Sequence, residues 1–143
     1  MNVDQLAAQE IVKEYARRDL VTYAQRVPVP GSPLKDDDDE ARIPLIESQQ
    51  AEHHRLILRE MQRCMQTRHG RLMIMAPPGS AKSTYATVVA PSWFLGTEAN
   101  RRVILASYGG DLARRHGRRT RQLLRSSESV SILQASISDD RSS

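Results

Sequence analysis

The apolar positions of this chain follow a helical period over most of its length and abandon it in two short runs. Between residues 4 and 26, Ala8, Val12, Ala16, Leu20 and Tyr23 recur every three to four positions, with Val27 just beyond, so they share one helix face, and Asp4 is a suitable N-cap. A second helical period covers residues 52–67, with Ile57, Met61, Cys64 and Met65 on one face and Gly70 as its stop. Then Leu72, Met73, Ile74, Met75 and Ala76 form an unbroken apolar run, the pattern of a parallel strand buried on both faces. Helices follow over residues 82–95 and 111–124, with a second apolar run, Val103, Ile104, Leu105 and Ala106, between them. Pro91 is expected to end or kink the first of these helices near Ala90, Gly96 to close it, and Asp111 to cap the second. Strand, turn, helix and strand in that order predict a βαβ unit with a right-handed crossover, and hence an α/β fold with a parallel sheet at its core.

The turn between the first strand and its helix carries the candidate chemistry. Pro77, Pro78, Gly79, Ser80 and Ala81 lead directly into Lys82, Ser83 and Thr84. A helix start presents unpaired backbone N–H groups and the positive end of a dipole, which together receive phosphate. Lys82 adds a cation and Ser83 a hydroxyl for Mg2+. Ala76 and Ala81 stand where the pattern GxxxxGKS has glycine, and Gly79 remains inside the loop. The plainer reading is an ordinary surface turn followed by a solvated lysine.

Composition narrows the remaining classes. At 143 residues and 39% apolar content the chain suits one modest domain, whose core relies on Leu, Ile, Val, Met and Ala because there is one Trp and one Phe. The segment 28–46 combines prolines with the acid run Asp36, Asp37, Asp38, Asp39 and Glu40, which reads as an exposed linker and a solvated loop. It separates an N-terminal amphipathic helix, 1–27, from the remainder, 47–143. The single Cys64 excludes an internal disulfide, His53 and His54 are neighbours that diverge on a helix, and no apolar run is long enough to cross a membrane. Without a recognisable leader, the chain is expected to be soluble and intracellular.

Net charge is only +4, yet the segment after Arg101 is strongly basic. On a helix over 111–124, Arg114, Arg118, Arg121 and Arg125 form one stripe, Arg115 and Arg119 lie on its flank, and Leu112, His116 and Leu123 lie opposite. A stripe lacking neighbouring acids suits an anionic partner such as a DNA backbone, or else it is a merely solvated face.

The residues from Arg71 through Tyr85, then Val89 to Gly96, Val103 to Tyr108, Leu112-Ala113 and the arginines from Arg118 to Arg121 resemble the large terminase subunit of tailed bacteriophages in consistent order. The resemblance implies the N-terminal part of a DNA-packaging ATPase with a three-layer αβα phosphate-loop fold. It implies a ring at the capsid portal in a bacterial host cytoplasm, with ATP, Mg2+, double-stranded DNA and other terminase subunits as partners. It assigns Pro78, Gly79, Ser80, Ala81, Lys82, Ser83 and Thr84 to the nucleotide, with Lys82 on the β and γ phosphates and Ser83 on the metal. His54 corresponds to a glutamine that contacts adenine in such proteins, and Arg114, Arg118, Arg121 and Arg125 become contacts to DNA or a neighbouring subunit. An acid of the Walker B type and the nuclease carboxylates are missing; Asp139-Asp140 does not follow an apolar strand. The chain therefore reads as a truncated ATPase domain. An inactive prophage remnant, a DNA-binding or subunit-binding module, and another helicase-like phosphate-loop ATPase are the alternatives.

Overall fold

The computed structural model describes residues 2–31 and 45–134. The acid run and Asp139-Asp140 lie outside the described residues. In order, the elements are α1 (Val3–Arg18), α2 (Leu20–Arg26), β1 (Val29–Pro30), β2 (Leu45–Ile46), α3 (Glu52–Gln66), a π-helical turn (Thr84–Val89) running directly into α4 (Ala90–Thr97), α5 (Gly110–Leu124) and α6 (Ser127–Leu133).

The expected N-terminal helix is two helices. Asp19 turns extended and caps α2, its Oδ2 accepting from Thr22 N at 2.7 Å. The break exposes backbone groups that a continuous helix would have paired, and side chains from distant elements take them. Gln62 of α3 receives Leu20 N–H at 2.7 Å and donates to Arg18 O at 2.9 Å, while Trp93 Nε1 donates to Ala16 O at 3.1 Å. The helix also starts earlier than Asp4, with Asn2 as its cap.

The α/β expectation is overturned. The described chain is mostly helical, and its only sheet is the antiparallel pair β1 and β2, with Val29 opposite Ile46 and Pro30 opposite Leu45. This ribbon lies inside the segment expected to be an exposed linker, and Val29 is buried. Residues 71–77 and 101–107 belong to no strand or helix, so the parallel βαβ unit and the αβα layers are not formed. Met73, Met75 and Ile104 are 82%, 88% and 94% exposed, where burial on both faces was expected. A parallel strand is held by neighbours on both edges and by helices on both faces, and these two runs find no such neighbours among the described residues.

The core forms instead between helices. Leu20, Tyr23 and Ala24 of α2, Leu58 of α3, Tyr85, Val88, Val89 and Trp93 of the loop helix, Leu123 of α5 and Ile132 and Leu133 of α6 make one buried cluster. Within it, Tyr23 Oη lies 3.0 Å from Ser92 Oγ and 2.9 Å from Ser129 Oγ. Ser92 gives its own proton to Val89 O, so Tyr23 donates to Ser92 and Ser129 donates to Tyr23. Burial raises the Tyr23 pKa above its ordinary value, while the bonds to Ser129 and Ser92 oppose the rise. Helix α6, which is not among the elements the sequence pattern predicts, is capped by Ser126 Oγ accepting from Ser129 N at 3.3 Å.

Pro91 neither ends nor sharply breaks its helix. It has no N–H for Thr87 O four residues back, and the widened π turn immediately precedes it. Thr120 Oγ1 of α5 donates to that carbonyl at 3.1 Å. Gly96 lies inside α4 against Leu133 of α6, and a Cβ there would force the Leu133 side chain to shift.

Candidate functional site

Gly79 with φ +79° and Ala81 with φ +52° turn the chain sharply before the helix that opens at Lys82. Glycine adopts such values freely; alanine does so at a cost of about 1 kcal/mol or more. Ala81 thus occupies a conformation suited to the glycine it replaces. Lys82 folds back across the turn, its Nζ donating to Ala76 O at 3.0 Å and to Pro77 O at 3.3 Å. These two carbonyls hold the ammonium over the loop.

Beneath the turn sits His54. Its Nδ1 accepts from Ala51 N at 3.1 Å, which leaves Nε2 as the protonated nitrogen, donating to Ser80 O at 3.0 Å. Its ring packs against Tyr85 and His53, with centroid separations of 4.6 and 3.9 Å. Tyr85 is buried, and its hydroxyl meets Ser48 Oγ at 3.1 Å. Burial lowers the His54 pKa below the ordinary 6.5, partly offset by the bond to Ser80 and reinforced by the nearby His53. Both ring nitrogens are therefore committed to the protein: His54 ties the start of α3 to the loop backbone. The two histidine rings, expected to diverge, touch.

A hollow of about 630 Å3 opens beside the loop. Its lining includes Gly79, Ser80, Ala81, Lys82, Ser83 and Thr84 of the loop, together with His54. Val29, Pro30 and Ile46 of the β1 and β2 ribbon and the following Glu47 and Gln49 also line it. Of the predicted site residues, Pro78 alone of the loop faces elsewhere, into a second hollow that also involves Leu56, Ile57, Ile74 and Met75.

Arg119 of α5 also lines the first hollow. Helix α5 is fixed against the loop helix by a chain of bonds. Thr87 Oγ1 donates to Ser83 O at 2.6 Å, so His116 Nδ1 supplies the proton in its 3.0 Å contact with Thr87 Oγ1. Among the described residues, the charged groups lining the hollow are Lys82, Arg119 and Glu47. The sequence pattern placed Arg119 on a flank; neither period nor motif distinguishes it from Arg115.

The predicted stripe Arg114, Arg118, Arg121 and Arg125 is exposed along one side of α5, with Leu123 buried opposite. It is not free of acids, because Arg114 pairs with Asp111 one turn away, and Asp111 lies in the first turn rather than at the cap, which is Gly109. The stripe does not share the hollow with the loop.

Among the described residues no group of three or more His, Cys, Asp or Glu converges as a metal set, and no helix is long and apolar enough to cross a membrane. No family model, no curated protein and no solved structure matches the chain.

Proposed function

We propose that the chain binds ATP with Mg2+ in the hollow beside Lys82, as the nucleotide-binding portion of a DNA-packaging ATPase of the terminase kind. The observation that carries the binding is the mixed lining of the hollow. It combines turned backbone, a helix start, Lys82 and the Ser83 and Thr84 hydroxyls with the apolar Val29, Pro30 and Ile46 and the Gln49 amide. A nucleoside triphosphate has a matching mixture, a charged tail and a flat base with polar edges. Mg2+ prefers oxygen ligands and is usually held largely by phosphates and water with few protein ligands. Ser83 or Thr84 would supply a hydroxyl oxygen to it, and the ion would offset phosphate charge. The residue assigned to the base becomes Gln49 in place of His54, whose nitrogens are occupied within the protein.

Equilibrium titration of the whole chain with a fluorescent ATP analogue in Mg2+ tests this. Saturable binding that falls at least about tenfold in Lys82→Ala is expected, since a charge-assisted contact is lost. Equal affinity in the variant, or no saturable binding by the unsubstituted chain, overturns the proposal.

A second proposed partner is double-stranded DNA or an adjoining subunit at the Arg114, Arg118, Arg121 and Arg125 stripe. The exposure of all four guanidinium groups along one side of α5 favours it.

A further inference from the structure

Arg119 differs from the other arginines of α5. The stripe residues are exposed and point away, whereas Arg119 is half-buried and lines the hollow together with Gly79, Lys82 and Ser83. Its position is set by its neighbour. Thr120 is 5% exposed, and its single hydroxyl proton is shared between Thr87 O at 3.1 Å and His116 O at 3.0 Å from Oγ1. With His116 and Thr87 Oγ1 forming a second tie to Ser83 O, α5 is fixed against the loop helix next to Lys82.

Two positive side chains from two elements thus meet one cavity, which Glu47 also lines. A guanidinium is permanently charged, planar and suited to two phosphate oxygens at once, while the Lys82 ammonium acts as a point charge. From this placement we infer that Arg119 is a second phosphate-binding residue, supplied by α5, that makes the hollow selective for polyphosphates over monophosphates. The inference rests on the proposed nucleotide site. It adds to that site an element the loop does not contain: α5 is part of the binding apparatus, and loading the hollow fixes α5 more firmly to the loop helix.

The experiment measures ATP and AMP affinities by competition against the fluorescent ATP analogue for the whole chain, Arg119→Ala, Arg119→Gln and the surface variant Arg63→Ala, an exposed arginine of α3 outside the hollow. Thermal melting of each variant accompanies the titrations, and Arg119→Gln keeps much of the side-chain volume should the alanine variant fold poorly. The expected result is a fall of about tenfold or more in the ratio of ATP to AMP affinity for the Arg119 variants, with Arg63→Ala unchanged. A merely structural role for Arg119 lowers both affinities together and leaves the ratio alone. An unchanged ratio in a folded Arg119 variant, with binding still dependent on Lys82, overturns this inference and leaves the nucleotide site standing. Absence of Lys82-dependent binding in the unsubstituted chain defeats the nucleotide site, and this inference with it.

Discussion

At the scale of single residues, the turn before Lys82 depends on an alanine in a glycine conformation. Ala81→Gly removes the Cβ clash at φ +52° and is expected to stabilise the chain by about 1 kcal/mol, less the entropy glycine loses on folding. Urea denaturation at constant m-value measures this, and a clear loss of stability contradicts the strain assigned to Ala81. His54 makes the same turn sensitive to acid. Its folded-state pKa lies below 6.5, so the unfolded chain binds the extra proton first as pH falls. The contribution of neutral His54 is complete above 6.5 and is lost as pH drops through the lowered folded-state value. Protonation at Nδ1 also sets two donors, the ring and Ala51 N–H, against each other. Melting curves between pH 7.5 and 5 are expected to fall more steeply for the unsubstituted chain than for His54→Gln. Parallel curves count against this coupling.

At the scale of elements, side chains bridging between helices repair what the helices leave unpaired. Gln62 serves both sides of the break at Asp19, accepting from Leu20 and donating to Arg18. Gln62→Leu keeps most of the side-chain volume and removes both bonds, so a loss of about 1–2 kcal/mol is expected in chemical denaturation. No change beyond experimental scatter shows that water replaces the amide. The period over residues 4–26 gave no sign of this break, because Asp19 is equally acceptable on a continuous polar face and becomes a cap only once α3 supplies Gln62. By contrast, α3 and α5 were legible almost to their ends. Their packed faces were legible only in part: α3 buries His54 and Leu58, while Ile57, Met61, Cys64 and Met65 of the expected face are half-buried, and α5 buries Thr120 beside the expected Leu123.

At the scale of the whole molecule, charge is divided between the hollow and the outer side of α5. If the stripe contacts DNA, log affinity falls linearly with log salt at roughly 0.9 per phosphate neutralised. Arg118→Glu with Arg121→Glu is then expected to flatten that slope by roughly 2. An unchanged slope leaves the stripe as ordinary surface, with no consequence for nucleotide binding. The exposed Met73, Met75 and Ile104 show why the sheet was misjudged. Apolar runs identify segments suited to burial, but a parallel strand forms only where other strands and covering helices meet it.

The sequence alone determined what depends on neighbours three or four residues apart: the long helices α3 and α5, the sharp turn ahead of Lys82, and the division of α5 into an arginine side and a packed side. These features follow from backbone geometry and spacing. Tertiary structure decided what depends on partners far along the chain. It left the two apolar runs unpaired, tied His54 to Ser80, split the N-terminal helix around Gln62, and brought Arg119 to the cavity of Lys82. Hydrogen bonds and charges of that kind are set by which elements pack together, and local spacing carries no record of that choice.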